Sequence, residues 1–303
     1  VAAGICIGLG LETYIAFRFM PFVLLVPLGW YFFQWIRGKI PRGGRLCTPC
    51  AIVLFLFMTL TAASPLVLYF IQNPHDFIGR SGQVSVFSSP SPLKEFAKSN
   101  ALTFGMFFIK GDCNWRHNYA CKPELHPIVS LFFFIGLALT IRDAIKKRKK
   151  PIMASCTLLA WFAGMTLPAT LTNEGLPHAL RSIGLIPPVM IFAGRGAHAA
   201  LAQIFHWLNI RKAQWPARAR QIGRVKREIL VLFLLALASL IGTTYRDYFI
   251  RWAERPLTYF AFSTDLLHVG AYLQALPSDT QKYVIVNLRG TEVRGIPMPS
   301  QTV

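Results

Sequence analysis

The chain has 303 residues, of which 53% are hydrophobic and only 15% charged, whereas soluble domains carry about 25% charged residues. Basic residues outnumber acidic ones by 32 to 13, so the formal net charge is +19, and the mean hydropathy is +0.43. A disordered polycation is excluded because it is never this apolar. A typical nucleic-acid-binding protein is disfavoured because its charge lies on a folded polar surface. The composition predicts an all-α polytopic membrane protein.

Apolar stretches long enough to cross a bilayer recur along the chain. A spanning helix needs about 20 mostly apolar residues, and the sequence predicts about seven such helices. They cover 1–17, 19–36, 50–70, 125–141, 152–171, 183–208 and 229–245. We therefore expect a transmembrane helical domain over 1–245, with an outer loop at 71–124. Because the chain begins at Val1 inside an apolar run, we expect it to be a fragment that lacks its N-terminal part.

The distribution of charge predicts an orientation. Three short loops, 37–45, 142–150 and 209–227, hold 17 of the 32 basic residues and a single acidic residue, Asp143. Short loops rich in Lys and Arg stay in the cytoplasm. We therefore expect 71–124, 172–182 and the C-terminal tail on the extracytoplasmic side of a bacterial inner (plasma) membrane. The excess charge suits contact with anionic membrane lipids, and no nucleic-acid partner is needed to explain it.

The tail at 246–303 changes character. It carries a helix-start signal at Ser263, Thr264 and Asp265, an amphipathic stretch at 266–276 and a strand candidate at 282–287. The pattern predicts the beginning of a small extracytoplasmic α/β domain.

Two pairs of cysteines could carry chemistry. Cys47 and Cys50 form a single CxxC motif, which is a weak zinc signal and is more simply an incidental pair. Cys113 and Cys121 share the predicted outer loop, where an oxidising exterior permits a structural disulfide. The sequence leaves open whether that disulfide forms.

Ionisable residues near the predicted outer face are the candidate site residues, because charge at membrane depth is costly. Arg18 follows Glu12 in an apolar segment and either lines an outward cavity or extends to the lipid headgroups. Arg80 follows Asp76 in a turn and either holds an anion or caps a helix. By contrast, Arg195 lies near the middle of a long predicted span, or at its cytoplasmic end if the helix starts earlier, and it is expected to extend to the headgroups.

Two outer-loop motifs offer donors for phosphate or sugar hydroxyls. Arg116, His117 and Asn118 are adjacent in the first, which could equally be a solvated loop. His178 and Arg181 in the second are three residues apart, so a helix places them on one face at the depth of a lipid-linked phosphate. The alternative for this pair is a plain interfacial anchor. Pro187 and Pro188 follow and predict a kinked or interrupted helix.

Three stretches together resemble a known family: GLGLETYIAFRFMPFVLL, GDCNWRHNYACKPELHPIVSLFFFIGLAL and LPHALRSIGLIPPVMIFAG. In this order they resemble type C membrane glycosyltransferases. The similarity is greatest to bacterial members akin to dolichyl-phosphate-mannose protein mannosyltransferases and to the aminoarabinose transferase of lipid A. It runs over most of the chain, and the RHN loop and the PHALR block are its distinctive parts.

The resemblance implies inverting transfer of a sugar from a polyprenyl-phosphate donor to a lipid, glycan or protein acceptor at the outer membrane face. It places His178 and Arg181 near the lipid phosphate and matches Arg116, His117 and Asn118 to an outer-loop signature. It also implies a catalytic acidic pair ahead of Val1, so that no general base is assigned within the chain, although Asp112 and Glu174 lie on the expected side. No cofactor is evident from the sequence, and a divalent metal, used by some relatives, has no support from its residues.

Two other classes remain open from the residues alone. A secondary transporter or lipid flippase would have many spans as well, but such proteins usually show internal repeats and ionisable residues near the bilayer midplane. An oligosaccharide polymerase or ligase would share the substrate class and the outer arginine and histidine residues. The upstream coding sequence would discriminate among them.

Overall fold

The computed structural model describes residues 1–39, 47–77, 85–146, 152–285, 292–293 and 296–297, and it is built almost entirely from helices. The α-helices are α1 (Ala2–Leu11), α2 (Met20–Ile36), α3 (Thr48–Gln72), α4 (Pro92–Gly105), α5 (Pro127–Ile145), α6 (Ile152–Thr170), α7 (Ile186–Gln214), α8 (Ala219–Tyr245), α9 (Pro256–Ala261) and α10 (Thr264–Ala275). Short 3₁₀ helices cover Ile15–Phe19, Val86–Ser88, Leu180–Leu185 and Pro216–Arg218, and a π-helical turn covers Arg246–Trp252.

Six helical segments of the described residues are long and apolar enough to cross a membrane. They are Ile15–Ile36, Pro49–Gln72, Pro127–Ile145, Ile152–Thr170, Leu180–Gln214 and Pro216–Trp252. These segments match six of the seven spans predicted from hydropathy. An all-α polytopic membrane protein is therefore confirmed in outline.

The first predicted span, 1–17, is wrong. Helix α1 ends at Leu11, where the amide of Glu12 closes the last turn and the Thr13 hydroxyl donates to the Gly10 carbonyl at 2.6 Å. Tyr14 is then extended before a 3₁₀ helix begins at Ile15. The predicted span is therefore divided into an α-helix and a 3₁₀ helix, and the second of these leads into α2.

Prolines mark where several of these helices begin. Proline is favoured in the first turn because the amide it lacks would have no partner within the helix. In α5, Pro127 takes this position and His126 caps the helix, accepting the amide of Ile128 at 3.4 Å. In α7, the paired prolines Pro187 and Pro188 likewise fall in the first turn, directly after the 3₁₀ helix. The predicted interruption is therefore a change of helix type at residue 186.

The chain divides into two compact units, which are described separately. The first comprises Val1–Asp112 and Pro123–Lys226, and the second comprises Cys113–Lys122 and Arg227–Val303. The core of the first unit is aromatic: the Phe133 ring lies 5.9 Å from that of Phe162 and 6.0 Å from that of Phe192, between ring centroids. These rings come from α5, α6 and α7, which therefore form the central bundle of the unit.

Helices α5 and α7 touch backbone to backbone. A Cβ atom placed on Gly136 would lie 1.8 Å from the Phe192 carbonyl oxygen, and one on Gly196 would lie 1.9 Å from that of Phe132. Beyond this crossing the Arg195 guanidinium pairs with Asp143 and donates to the Thr140 hydroxyl at 3.1 Å. Arg195 therefore does not extend to the headgroups as expected. Its guanidinium instead forms an ion pair between α7 and α5, because Asp143 lies close to it.

The N-terminal helix packs against α3 through small residues. Gly4 and Gly8 of α1 are buried, and a Cβ atom on either would lie 2.5 Å from a carbonyl oxygen of α3. Small residues let helix backbones approach closely in a membrane, where van der Waals packing drives association. Helix α1 is therefore a packed part of the first unit.

The second unit holds the larger part of α8, the π-helical turn, α9 and α10. Helix α10 confirms the predicted amphipathic helix and begins directly after Ser263. The predicted strand at 282–287 is not found over its described part, 282–285, which has no regular structure. Only two-residue strands, β1 (Glu292–Val293) and β2 (Ile296–Pro297), pair antiparallel beyond it. The described residues therefore do not support the predicted α/β domain.

Candidate functional site

In the first unit, the segment that links α6 to α7 is fixed at its start. The hydroxyl of Ser99, on α4, donates to the Thr172 carbonyl at 2.6 Å, and the amide of Val86 donates to the Leu171 carbonyl at 3.0 Å. Residues 85–105 thus hold Thr172 directly after the end of α6. This contact was not predicted from the sequence, since it joins residues more than 70 positions apart.

Arg181 folds back onto this segment. Its Nη1 donates to the Thr172 hydroxyl at 2.7 Å and to the Glu174 carbonyl at 2.8 Å. A guanidinium has five N–H donors in one rigid plane, so these two bonds fix the direction of the whole cationic group. Glu174 itself is exposed, and it is its backbone that contacts Arg181.

His178 and Arg181 lie next to each other, as predicted, but the contact joins the His178 side chain to the Arg181 backbone amide. The Nδ1 atom of His178 accepts the amide of Arg181 at 3.3 Å, and the Ser182 hydroxyl donates to the His178 carbonyl at 3.1 Å. His178 therefore caps the 3₁₀ helix Leu180–Leu185. The predicted shared α-helical face is wrong here, because the α-helix starts only at Ile186.

Two carboxylates complete this group in the first unit. Asp112 is 3% exposed, and its Oδ2 accepts the amide of Ala179 at 2.9 Å. Glu124 in turn accepts the amide of Asp112 at 3.3 Å. Burial raises the pKa of Glu124 to about 7, with a smaller contribution from the charge of Asp112, while the amide bond acts in the opposite direction.

Glu124 was not predicted as a site residue. Two signals were available: it directly precedes an apolar span, and it follows Asp112 by 12 positions within one outer loop. Neither signal shows that both ends of that loop meet. In the structure, backbone hydrogen bonds join the two ends of the loop: the amides of Glu124 and Leu125 donate to the carbonyls of Met106 and Phe107.

The RHN motif lies in the second unit, on the loop Cys113–Lys122. The disulfide between Cys113 and Cys121 closes this loop, so the bond that the sequence left open is formed. Asn118 is 1% exposed; it donates to the Lys122 carbonyl at 2.7 Å and accepts the Tyr248 hydroxyl at 3.0 Å. Asn118 is therefore a buried residue that stabilises the loop through these hydrogen bonds.

Its two neighbours differ from Asn118 in exposure. Arg116 is exposed and its guanidinium lies 5.9 Å from the Phe262 ring centroid, while the half-buried His117 donates its amide to the Asn114 carbonyl. The Trp252 indole also donates to the Trp115 carbonyl at 2.9 Å. Arg116 is therefore the member of the motif best placed to meet a solute.

Two further predicted residues lie elsewhere in the chain. Arg18 stacks over the rings of Phe70 and Phe77, 4.7 and 5.2 Å from their centroids, so its charge is directed at the end of α3. Arg80 lies outside the described residues. Of the seven predicted site residues, the structure therefore brings His178 and Arg181 together with Asp112 and Glu124.

The comparisons with known proteins identify no relative: no protein-family model, curated protein or solved structure matches the chain.

Proposed function

We propose that the protein is a membrane glycosyltransferase that moves a sugar from a polyprenyl-phosphate donor to an acceptor at the extracytoplasmic face of a bacterial inner membrane, with inversion. The observation that carries the proposal is the group formed by His178, Arg181, Asp112 and Glu124, which we call the polar cluster. The resemblance of the PHALR block to type C membrane glycosyltransferases supports the choice of donor.

The polar cluster lies at the ends of apolar helices, which supports a lipid-linked phosphate as its ligand. Glu124 is three residues ahead of α5, Thr172 is two residues beyond α6, and Arg181 is five residues ahead of α7. Each group therefore sits at the end of an apolar helix long enough to span the membrane. A polyprenyl phosphate keeps its charge at the membrane surface while its chain occupies the hydrocarbon, so a cluster at helix ends suits this donor.

The cationic part of the cluster suits the leaving group. Cleavage of the sugar–phosphate bond leaves negative charge on the polyprenyl phosphate, and a fixed cation stabilises that charge without reorganisation. The bonds of Arg181 to Thr172 and Glu174 supply this fixed orientation. His178 stands beside it with Nδ1 occupied by the Arg181 amide, which favours the tautomer with its proton on Nε2.

The acidic part suits proton transfer. The acceptor hydroxyl attacks the anomeric carbon, its proton passes to a base, and the phosphate departs from the opposite face, which inverts the centre. A general base works best with a pKa near the working pH, as Glu124 has. The family resemblance instead assigns the base to an acidic pair that no residue of this sequence is shown to match. A Glu124→Gln variant tests the first alternative: it should lose turnover, with donor binding unchanged, if Glu124 takes the proton.

The orientation rests on two features. The basic loops predict the cytoplasmic side, and the disulfide between Cys113 and Cys121 is the kind of bond that persists in an oxidising compartment. Both favour an extracytoplasmic position for the residues between α3 and α5.

The test is sugar transfer from a labelled polyprenyl-phosphate donor by the protein in proteoliposomes. We expect Arg181→Ala to lower kcat/KM at least about tenfold, because a charge-assisted hydrogen bond contributes about 1.5–3 kcal/mol. Lys98→Ala is the matched control: Lys98 is an exposed cation of α4, paired only with Glu95 among the described contacts, and its loss should leave the rate unchanged. Full activity in Arg181→Ala protein would contradict the phosphate-binding role, and absence of transfer by the unmodified protein would contradict the function.

A further inference from the structure

The first turn of α3 carries two thiols. Cys47 is the residue that caps the helix and Cys50 lies three positions later, so both fall on the same turn. The amide of Cys50 donates to Sγ of Cys47 at 3.4 Å. Both residues are free cysteines and both are exposed. The sequence alone indicated only an incidental pair or a weak zinc signal.

The capping position favours the anionic form of Cys47. Residues that cap helices usually offer a hydroxyl or carboxylate oxygen, whereas a neutral thiol is a poor acceptor. A thiolate is a better one, and the partial positive charge at the N-terminal end of a helix stabilises it. The thiol and the amide of Cys50 both donate to Cys47 and lower the pKa of the Cys47 thiol.

We propose that Cys47 and Cys50 form a redox-active dithiol that undergoes thiol–disulfide exchange with soluble disulfides. The Cys47 thiolate attacks one sulfur of the disulfide, a mixed disulfide forms, and the first thiolate leaves. Cys50 then loses its proton and attacks Sγ of Cys47, which expels the second thiolate. The protein thiols lose two electrons and two protons in total, and the soluble disulfide becomes two thiols.

The geometry supplies what each step needs. Exposure gives a soluble disulfide access to the attacking sulfur, and the shared turn keeps the resolving sulfur next to the mixed disulfide. The other free cysteines lack this arrangement: Cys6 lies within α1, and the half-buried Cys156 lies within α6. The proposal is independent of sugar transfer, since neither thiol belongs to the polar cluster.

The test uses the full chain in lipid nanodiscs with Cys6 and Cys156 replaced by serine. Alkylation of Cys47 is measured against pH in a Cys50→Ser variant, and alkylation of Cys50 in a Cys47→Ser variant. We expect Cys47 to react at least about fivefold faster than Cys50 at pH 7, because a larger fraction of it is thiolate. Equal rates would overturn the assignment of Cys47 as the attacking thiol.

The second measurement is equilibration with reduced and oxidised glutathione, followed by intact mass spectrometry after acid quenching. We expect the dithiol protein to pass reversibly to an internal disulfide without retained glutathione, and the Cys50→Ser protein to retain one glutathione on Cys47. A dithiol protein that accumulates glutathione adducts as the Cys50→Ser protein does would overturn the proposal. So would one that remains reduced throughout because a copurified metal ion holds both sulfurs.

Discussion

Glu124 is a glutamate, a residue type that is usually exposed to solvent, and the fold buries most of it. Its carboxylate lies at the base of the loop that leaves the first unit at Asp112 and returns at Pro123, and it receives the Asp112 amide. A carboxyl group that loses water on burial is harder to ionise. The pKa of Glu124 therefore lies near 7, where small changes in pH alter its charge.

This pKa predicts how stability depends on pH. The folded value lies above the value of an unfolded glutamate, so between pH 4.5 and 7 the native state binds more protons and stability falls as the pH rises. Glu124→Gln keeps an acceptor for the Asp112 amide but cannot ionise. We therefore expect the variant to gain about 1–3 kcal/mol relative to the unmodified protein when the pH is raised from 5 to 8, since one pKa unit is worth about 1.4 kcal/mol.

The measurement is chemical or thermal unfolding of the purified protein and of the variant across that range. Glu254→Gln, at an exposed glutamate, serves as a control, and we expect its stability relative to the unmodified protein to stay constant across this range. A constant difference in stability between Glu124→Gln and unmodified protein would contradict the raised pKa.

The contacts that form the polar cluster could be predicted only in part from the sequence. The spacing of His178 and Arg181 predicted that they are neighbours, and they are. The contact between Asp112 and Ala179 joins residues 67 positions apart, and no local pattern reports such a separation. Glu124 was missed for the same reason: its position before a span is visible, whereas its burial depends on the closure of the loop.

At the scale of elements, the crossing of α5 and α7 brings two helix backbones into direct contact. Gly136 and Gly196 allow each backbone to rest on the other, and the aromatic rings of Phe133 and Phe192 pack beside them. Small residues at such crossings take the part that apolar burial takes in soluble proteins.

Gly136→Ala should therefore destabilise the protein by at least about 2 kcal/mol, because the added methyl group meets a backbone oxygen that cannot rotate away. The matched control is Gly194→Ala on α7, where a Cβ atom would meet nothing within 4 Å. We expect that control to melt at or above the temperature of the unmodified protein in a thermal unfolding assay, because alanine has the higher helix propensity. Equal melting temperatures for the Gly136→Ala and unmodified proteins would show that the two helices can separate.

Element prediction succeeded where hydropathy alone decides the outcome. Six apolar segments form helices long and apolar enough to cross a membrane, where the backbone must be hydrogen-bonded within each helix. It failed at α1, where Glu12 and Thr13 end a helix inside an apolar run, and at 282–285, where a β-type composition does not form a strand. Helix α4 in the predicted outer loop was also missed, since its amphipathic pattern is short.

At the scale of the whole molecule, the direction of the spans determines whether the proposed chemistry is possible. The polar cluster needs the face that polyprenyl-linked sugars reach. The basic residues in the loops predicted which face is cytoplasmic and therefore which is extracytoplasmic. Arg211 and Lys212, for example, lie in the last turn of α7, at the opposite end from Arg181 and on the predicted cytoplasmic side.

Single cysteines can test this orientation. In protein whose free cysteines are replaced by serine, Lys98→Cys should react with a membrane-impermeant maleimide added to intact spheroplasts. Lys212→Cys should react only after permeabilisation, because it lies at the predicted cytoplasmic end of α7. The reverse pattern would place the polar cluster in the cytoplasm and would contradict the proposed donor.

Under the proposed function, the glycine crossing also limits where a lipid substrate could enter. Helix α5 begins three residues after Glu124 and α7 begins five residues after Arg181, and the two helices contact each other through Gly136 and Gly196. Because their main chains touch, neither helix can slide past the other without a clash. An opening for a polyprenyl chain would therefore have to come from segments outside this pair of helices.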